Sequence, residues 1–224
     1  MRIIAIRPEP GLSSTLAEAA ARGLEVVGHP LSQVVGCAWE LPDPAHFDAV
    51  LAGSANAFRH GGSQLQALTG LPVLAVGQAT ADAAATAGFA VAATGSGGLQ
   101  TLLDEIGSRY RRLLRLAGED HVPVSLPPGT ELTTRVIYRI QNIEIPDELQ
   151  RELDLRPVVL LHSAGAAAHF AAECDRLGID RGRIALAAIG PRVLEAAGNG
   201  WRAARAAARP ADAELLALAG DMCH

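Results

Sequence analysis

Phe47-Asp48-Ala49-Val50-Leu51-Ala52-Gly53-Ser54-Ala55-Asn56-Ala57-Phe58 is followed at 71–89 by LPVLAVGQATADAAATAGF. The same phrase returns as RPVVLLHSAGAAAHF at 156–170 and RIALAAIGPRVLEAAGNGW at 183–201. Each copy reads as an apolar strand, Ser-Ala-x-Ala, a helix, a second apolar strand, Gly, an Ala-rich helix and an aromatic residue. Ser163 lies 109 residues after Ser54 and Gly190 lies 113 after Gly77, about half of the 224-residue chain. Short apolar strands joined by helices predict parallel sheets covered on both faces. The near-half spacing predicts two such modules; the other reading is one long doubly wound sheet.

The flanking sequence follows the same rhythm. Arg2 to Ile6, Leu24 to Val27, Phe89 to Ala93 and Arg112 to Leu116 read as strands. Ser13 or Ser14 is placed to cap a helix that Gly23 stops. Gly97-Gly98 leads into a helix over Leu99 to Ile106, and the tail gives a last strand and a helix beginning at Asp212. Two stretches break the pattern: Gln33 to Leu41 and Arg135 to Ile145 are β-rich with no helix of their own. The second stretch partly alternates polar and apolar residues, which puts Arg135, Ile137, Arg139 and Gln141 opposite Val136, Tyr138 and Ile140. Paired antiparallel, these stretches would bridge the modules, with Pro42, Pro44 and Pro146 ending them.

Composition narrows the chemistry. Hydrophobic residues make up 49% of the chain, yet no apolar run reaches the roughly 18 residues of a membrane span. The start, Met1 to Arg7, turns polar too early for a signal-peptide core, so a cytoplasmic protein is expected. Net charge is −5, which argues against a broad nucleic-acid surface. There is no Lys, so neither a Schiff base nor a phosphate-loop lysine is available. Cys37, Cys174 and Cys223 lack metal or CxxC spacing, and the seven His residues form no HxH or HExxH pair, so no metal is expected. Neither a dinucleotide fingerprint nor GxSxG occurs.

Ligands of parallel sheets bind outside the carboxyl ends of the strands. Ser54, Thr80, Gly118, Ser163 and Gly190 fall there. Most of these loops open helices, whose free N–H groups suit carboxylates. Ser and Thr at such positions also cap helices for stability alone. Arg7, Arg59, Arg139 and Arg192 lie near loop ends and are placed to pair with carboxylates. Arg111, Arg112 and Arg115 read as a solvated face plus one sheet-end residue. Tyr138 stands on a bridging strand, where its hydroxyl would donate a proton or a hydrogen bond; packing at the strand surface is the other reading.

Taken in order, the opening RPEP, FDAVLAGSANA, LPVLAVGQATADAAATAGF, LLRLAGE, VIYRI, VVLLHSAGAAAHF, AAIGPRVLEAAGNGW and ARPADAELLAL resemble the uroporphyrinogen-III synthase family. The resemblance implies two parallel-sheet, helix-flanked (flavodoxin/Rossmann-like) α/β domains joined by a two-stranded antiparallel β-ladder, with the active site in the cleft between them. It implies a discontinuous first domain, 1–33 plus 146–224, a second domain at 42–134, and the ladder at 34–41 and 135–145. It also implies a lyase that cyclises hydroxymethylbilane, a monomer, and no cofactor.

By that resemblance Tyr138 assists loss of the substrate hydroxyl. Ser54, Ala55 and Asn56, Thr80 and Gly118 form the substrate-binding loops of one domain. Arg7, Ser163 and Ala164, with Gly190, Pro191 and Arg192, form those of the other. The chain departs from the family pattern at Gly53, where Thr is usual, and at Arg192 and Val193, where Thr often follows the turn. Those departures keep open a diverged, non-catalytic two-lobed protein that binds a small polyanion; a two-domain α/β enzyme for a different substrate is a further reading.

Overall fold

Runs such as AVLA and VVLL become strands with every side chain buried, the signature of parallel strands packed on both faces. The computed structural model describes residues 2–223. In chain order the elements are β1 (Ile3–Ala5), α1 (Gly11–Ala21), β2 (Val26–Gly28), β3 (Ser32–Gly36), β4 (Ala49–Ala52), α2 (Asn56–His60), β5 (Val73–Val76), α3 (Gln78–Thr86), β6 (Val91–Gly95) and α4 (Leu99–Ile106). They continue with β7 (Arg112–Gly118), β8 (Glu131–Asn142), α5 (Asp147–Leu153), β9 (Val158–Leu161), α6 (Ala164–Leu177), β10 (Ala185–Ala188), α7 (Pro191–Ala197), β11 (Ala203–Ala206) and α8 (Asp212–Met222). The chain divides into two units, Met1–Gln33 with Gln141–His224, and Val34–Ile140.

The first unit holds a parallel sheet in the order β11-β10-β9-β1-β2. Its core has two sides. Phe170, Leu161 and Leu186 pack on one face; Leu160, Leu215 and Leu216 pack on the other. Ser163 caps α6 by accepting a hydrogen bond from the Ala166 N–H at 3.2 Å, and Gly178 ends the helix in the left-handed conformation at φ 67°.

The second sheet runs β3-β8-β7-β4-β5-β6, parallel from β8 through β6. The Cys37 N–H donates to the Ile137 carbonyl at 2.9 Å, and the Ile143 N–H donates to the Leu31 carbonyl at 2.9 Å. Numbers rise on one strand as they fall on the other, so β3 and β8 run antiparallel.

The parallel strands of the two units match one for one. Reading β9, β10, β11, β1, β2 against β4, β5, β6, β7, β8 reproduces the same neighbours. The repeated phrase thus marks a shared five-stranded pattern, 2-1-3-4-5 in the first unit and circularly permuted in the second.

Several boundaries differ from the sequence expectation. The first helix begins at Gly11 with Pro10 at its cap, and neither Ser13 nor Ser14 caps it; the Ser13 hydroxyl donates to Glu9 instead. The strand expected at 24–27 lies at Val26–Gly28, that at 89–93 lies at Val91–Gly95, and the stretch from Gln33 is strand only as far as Gly36. β8 starts four residues early, because Glu131 to Val136 pair with β7 before the chain reaches β3. The strict alternation along it fails as well. Ala117 pairs Val136 and Gly118 pairs Tyr138, so a bulge passes over Ile137. Ile137 and Tyr138 consequently pack against the same core.

Phe170 is wholly buried and stacks on Trp201 with ring centroids 5.6 Å apart. Phe170→Ala should lower unfolding stability by about 3–5 kcal/mol, read from urea titrations by Trp fluorescence. A loss below about 1 kcal/mol would mean that this ring is not central to the core.

Candidate active site at the strand ends of the second unit

In each unit two central neighbouring strands send their outgoing chains to opposite sides of the sheet. That topological switch point is where an open parallel sheet leaves a crevice. In the second unit the pair is β4 and β7, and a cavity of about 390 Å³ lies there. The loop after β4 supplies Gly53, Ser54 and Asn56. The end of β7 supplies Arg115 to Gly118, and the segment beyond it Glu119 to Val122. Gly98 and Leu99 come from the start of α4, and Tyr138 and Ile140 from β8.

The geometry around Tyr138 is tight. A Cβ built on Gly118 would stand 2.7 Å from the Tyr138 ring and 3.0 Å from its hydroxyl. Only Gly at 118 lets the ring lie against the end of β7. The bulge in β8 supplies the other half of the placement, because it re-aims Tyr138 at the point where the ladder with β7 ends. The ring is half-buried, and the exposed side chains of Val122 and Ile140 give the cavity an apolar rim.

Four expected residues, Ser54, Asn56, Gly118 and Tyr138, meet in this cavity. Ser54 also accepts a hydrogen bond from the Asn56 N–H at 3.2 Å. Ala55 is buried at the cap of α2 and does not line the space. Thr80 lies in the first turn of α3, 4% exposed, and also stands outside it. Arg115 differs most from expectation. It is 7% exposed, whereas its neighbours Arg111 and Arg112 are exposed. A lone Arg inside the apolar run LLRLAG was the sequence signal, since a strand buried on both faces has no solvated side. His121 and Val122 follow no motif, and only the folded chain places them at the cavity.

The equivalent switch point of the first unit, between β9 and β1, carries an ion-pair cluster. The Arg7 Nη1 donates to the Asp212 Oδ2 at 2.9 Å and to the Thr15 hydroxyl at 3.1 Å, and that hydroxyl donates to Asp212 at 2.7 Å. Arg7 therefore already has an acidic partner inside its own unit. The His162 side chain is 6% exposed, its Nε2 lies 3.6 Å from the Asp212 Oδ1, and neither ring nitrogen has a hydrogen-bond partner. Burial, and then the Arg7 charge, push its pKa down to about 4 against the pull of Asp212. Ser163 and Ala164 are exposed at the start of α6, and Gly190, Pro191 and Arg192 lie at the start of α7.

A family model of uroporphyrinogen-III synthase HemD matches residues 13–217. The chain belongs to the uroporphyrinogen-III synthase family. The crystal structure of the Helicobacter pylori uroporphyrinogen-III synthetase superposes with a TM-score of 0.66 at 18% identity, covering 99% of this chain and 100% of that one. A mutant uroporphyrinogen III synthase from the extremely thermophilic bacterium Thermus thermophilus gives 0.54 at 16% identity, covering 100% and 99%. At these identities the two structures support the shared fold. A search of curated proteins finds no significant match. Family membership makes the chain a lyase of porphyrin and haem biosynthesis and disfavours the non-catalytic reading. Among the described residues, no helix is long and apolar enough to cross a membrane.

The folded chain refuses the proton that an unfolded His162 accepts near pH 6.5. The stability this provides is full above about pH 6.5 and is lost as pH falls through about 4. His162→Leu should flatten the stability–pH curve between those values, measured by urea unfolding. An unchanged slope would show that His162 is not the titrating group.

Proposed function

We propose that the chain cyclises hydroxymethylbilane with loss of water and inversion of the terminal ring, giving uroporphyrinogen III, and that Tyr138 is its catalytic group. The observation that carries this reading is the Tyr138 phenol, held over Gly118 at the mouth of a cavity on the sheet's switch point. The cavity falls in the lower part of the range for ligand pockets, roughly 300–1,000 Å³. It suits one substituted pyrrole better than four.

The phenol donates its proton to the departing hydroxyl, which leaves as water, and the terminal methylene becomes an azafulvene. The last ring then attacks through its substituted carbon and forms a spiro intermediate. The bond from that carbon to the old bridge breaks, and the ring rejoins inverted. A proton lost from the closing ring restores Tyr138. Closure without inversion proceeds spontaneously, so the protein's main task is orientation, worth up to about 7–11 kcal/mol in the best cases.

Ser54 and Asn56, the N–H groups at the start of α4, and the loops at Ser163–Ala164 and Gly190–Arg192 offer donors to the substrate's carboxylates. Thr80, buried in the first turn of α3, stands outside this donor set. Residues 34–41 and 135–145 act as the tether between domains at 1–33 plus 146–224 and 42–134. The protein works as a cytoplasmic monomer on this small molecule, with no nucleic-acid or membrane partner.

Incubation with hydroxymethylbilane and chromatography of the uroporphyrinogen isomers tests the reading. Isomer III is expected; isomer I alone would refute it. Tyr138→Phe should lower kcat by about 10²-fold or more, and wild-type turnover would remove Tyr138 from the mechanism. Gly118→Ala forces the ring aside and should cost on the order of 10² in kcat while the protein stays folded. Full activity in that variant would show that the ring's seat on Gly118 is unimportant.

A further inference from the structure

Arg115 sits in the middle of β7, paired in register with Leu51 on one side and Thr134 on the other. Leu114 and Leu116, beside it in sequence, are core residues. Its guanidinium is a buried cation that cannot release its proton. Its Nη1 donates to the Val122 carbonyl at 2.8 Å. Among the described residues no carboxylate lies within 4.0 Å of it, although Arg2, Arg7, Arg112, Arg176 and Arg181 each have one. Burial pushes the Arg115 pKa down, and a charge on Tyr138 is what would favour its cationic form. A buried cation without a counter-ion is strongly unfavourable unless a ligand supplies the missing charge. Arg115 lines the same cavity as Tyr138; apolar Val122 and Ile140 stand at its rim, and Glu119 and Asp120 also belong to the lining without forming an ion pair with Arg115 within 4.0 Å.

We propose that Arg115 binds a carboxylate of the substrate in this cavity and so fixes one pyrrole ring beside Tyr138. The inference rests on the reading of the substrate as a polycarboxylate. It makes Arg115 a specificity residue: a ring that carries an acidic side chain neutralises the cation, while a neutral ring leaves it unpaired. Unlike Arg7, which Asp212 already neutralises, Arg115 has its charge available.

Steady-state kinetics with hydroxymethylbilane on the wild type, Arg115→Gln and Arg115→Lys test this. One charge-assisted pair predicts that Arg115→Gln raises KM by about 10- to 100-fold, with kcat far less affected. Arg115→Lys, which keeps the charge, should recover part of that loss. In a second measurement, uroporphyrin III, an octacarboxylate, should raise the melting temperature of the wild type by more than that of Arg115→Gln. An Arg115→Gln protein with wild-type KM and a wild-type melting shift would overturn the inference. So would unfolding of both variants, since Arg115 would then be only a brace for the Val122 segment. If the wild type makes only isomer I, the catalytic reading fails, and the melting shift alone then decides whether Arg115 holds a carboxylate.

Discussion

Burial of both faces of short parallel strands is the constraint on which this protein depends. A strand such as Val158–Leu161, with every side chain inside, pairs with strands that run the same way and returns only through a crossover. Every such crossover begins at the same edge of its sheet. Loops rich in Ser, Gly and Ala collect there, and the sheet's topology opens a crevice at one strand pair. The position of the site thus follows from how the core is buried.

The two units solve this problem with one strand pattern and fill its crevice differently. Between β9 and β1, Arg7, Asp212 and Thr15 satisfy one another above a buried His162. Between β4 and β7 the corresponding residues are small, with Gly53 and Gly118 at the strand ends, and a cavity remains. One crevice contributes to stability through an internal ion pair. The other leaves a buried guanidinium and a phenol at the edge of open space.

Tyr138 depends on two backbone features that act together. The bulge after Val136 turns the strand so that Ile137 stays in the core while Tyr138 reaches the end of β7. Gly118 leaves the ring room to lie there. A phenol held this way needs little adjustment when a ligand arrives, which is the preorganisation that the proposed ring closure calls for.

Much of the fold was legible in the residues. The apolar runs and the punctuating glycines determined the parallel strands and their crossovers, because burial and backbone freedom are local properties of a sequence, and the repeated Ser-Ala-x-Ala phrase pointed to two modules without excluding one long sheet. Ser54 and Gly118 were also within reach, since strand ends can be located from pattern alone, and so was Tyr138 as a residue of the bridging strand; Asn56 came only with the family resemblance. Other features came only with tertiary structure. Strict alternation could not show the bulge that sends Ile137 and Tyr138 to one core, because a bulge is set by pairing with another strand. No spacing rule joins Arg7 to Asp212 across the chain or leaves Arg115 without an acid. Whether a charge is paired depends on which distant residues the fold brings within a few ångströms, and that is decided in three dimensions.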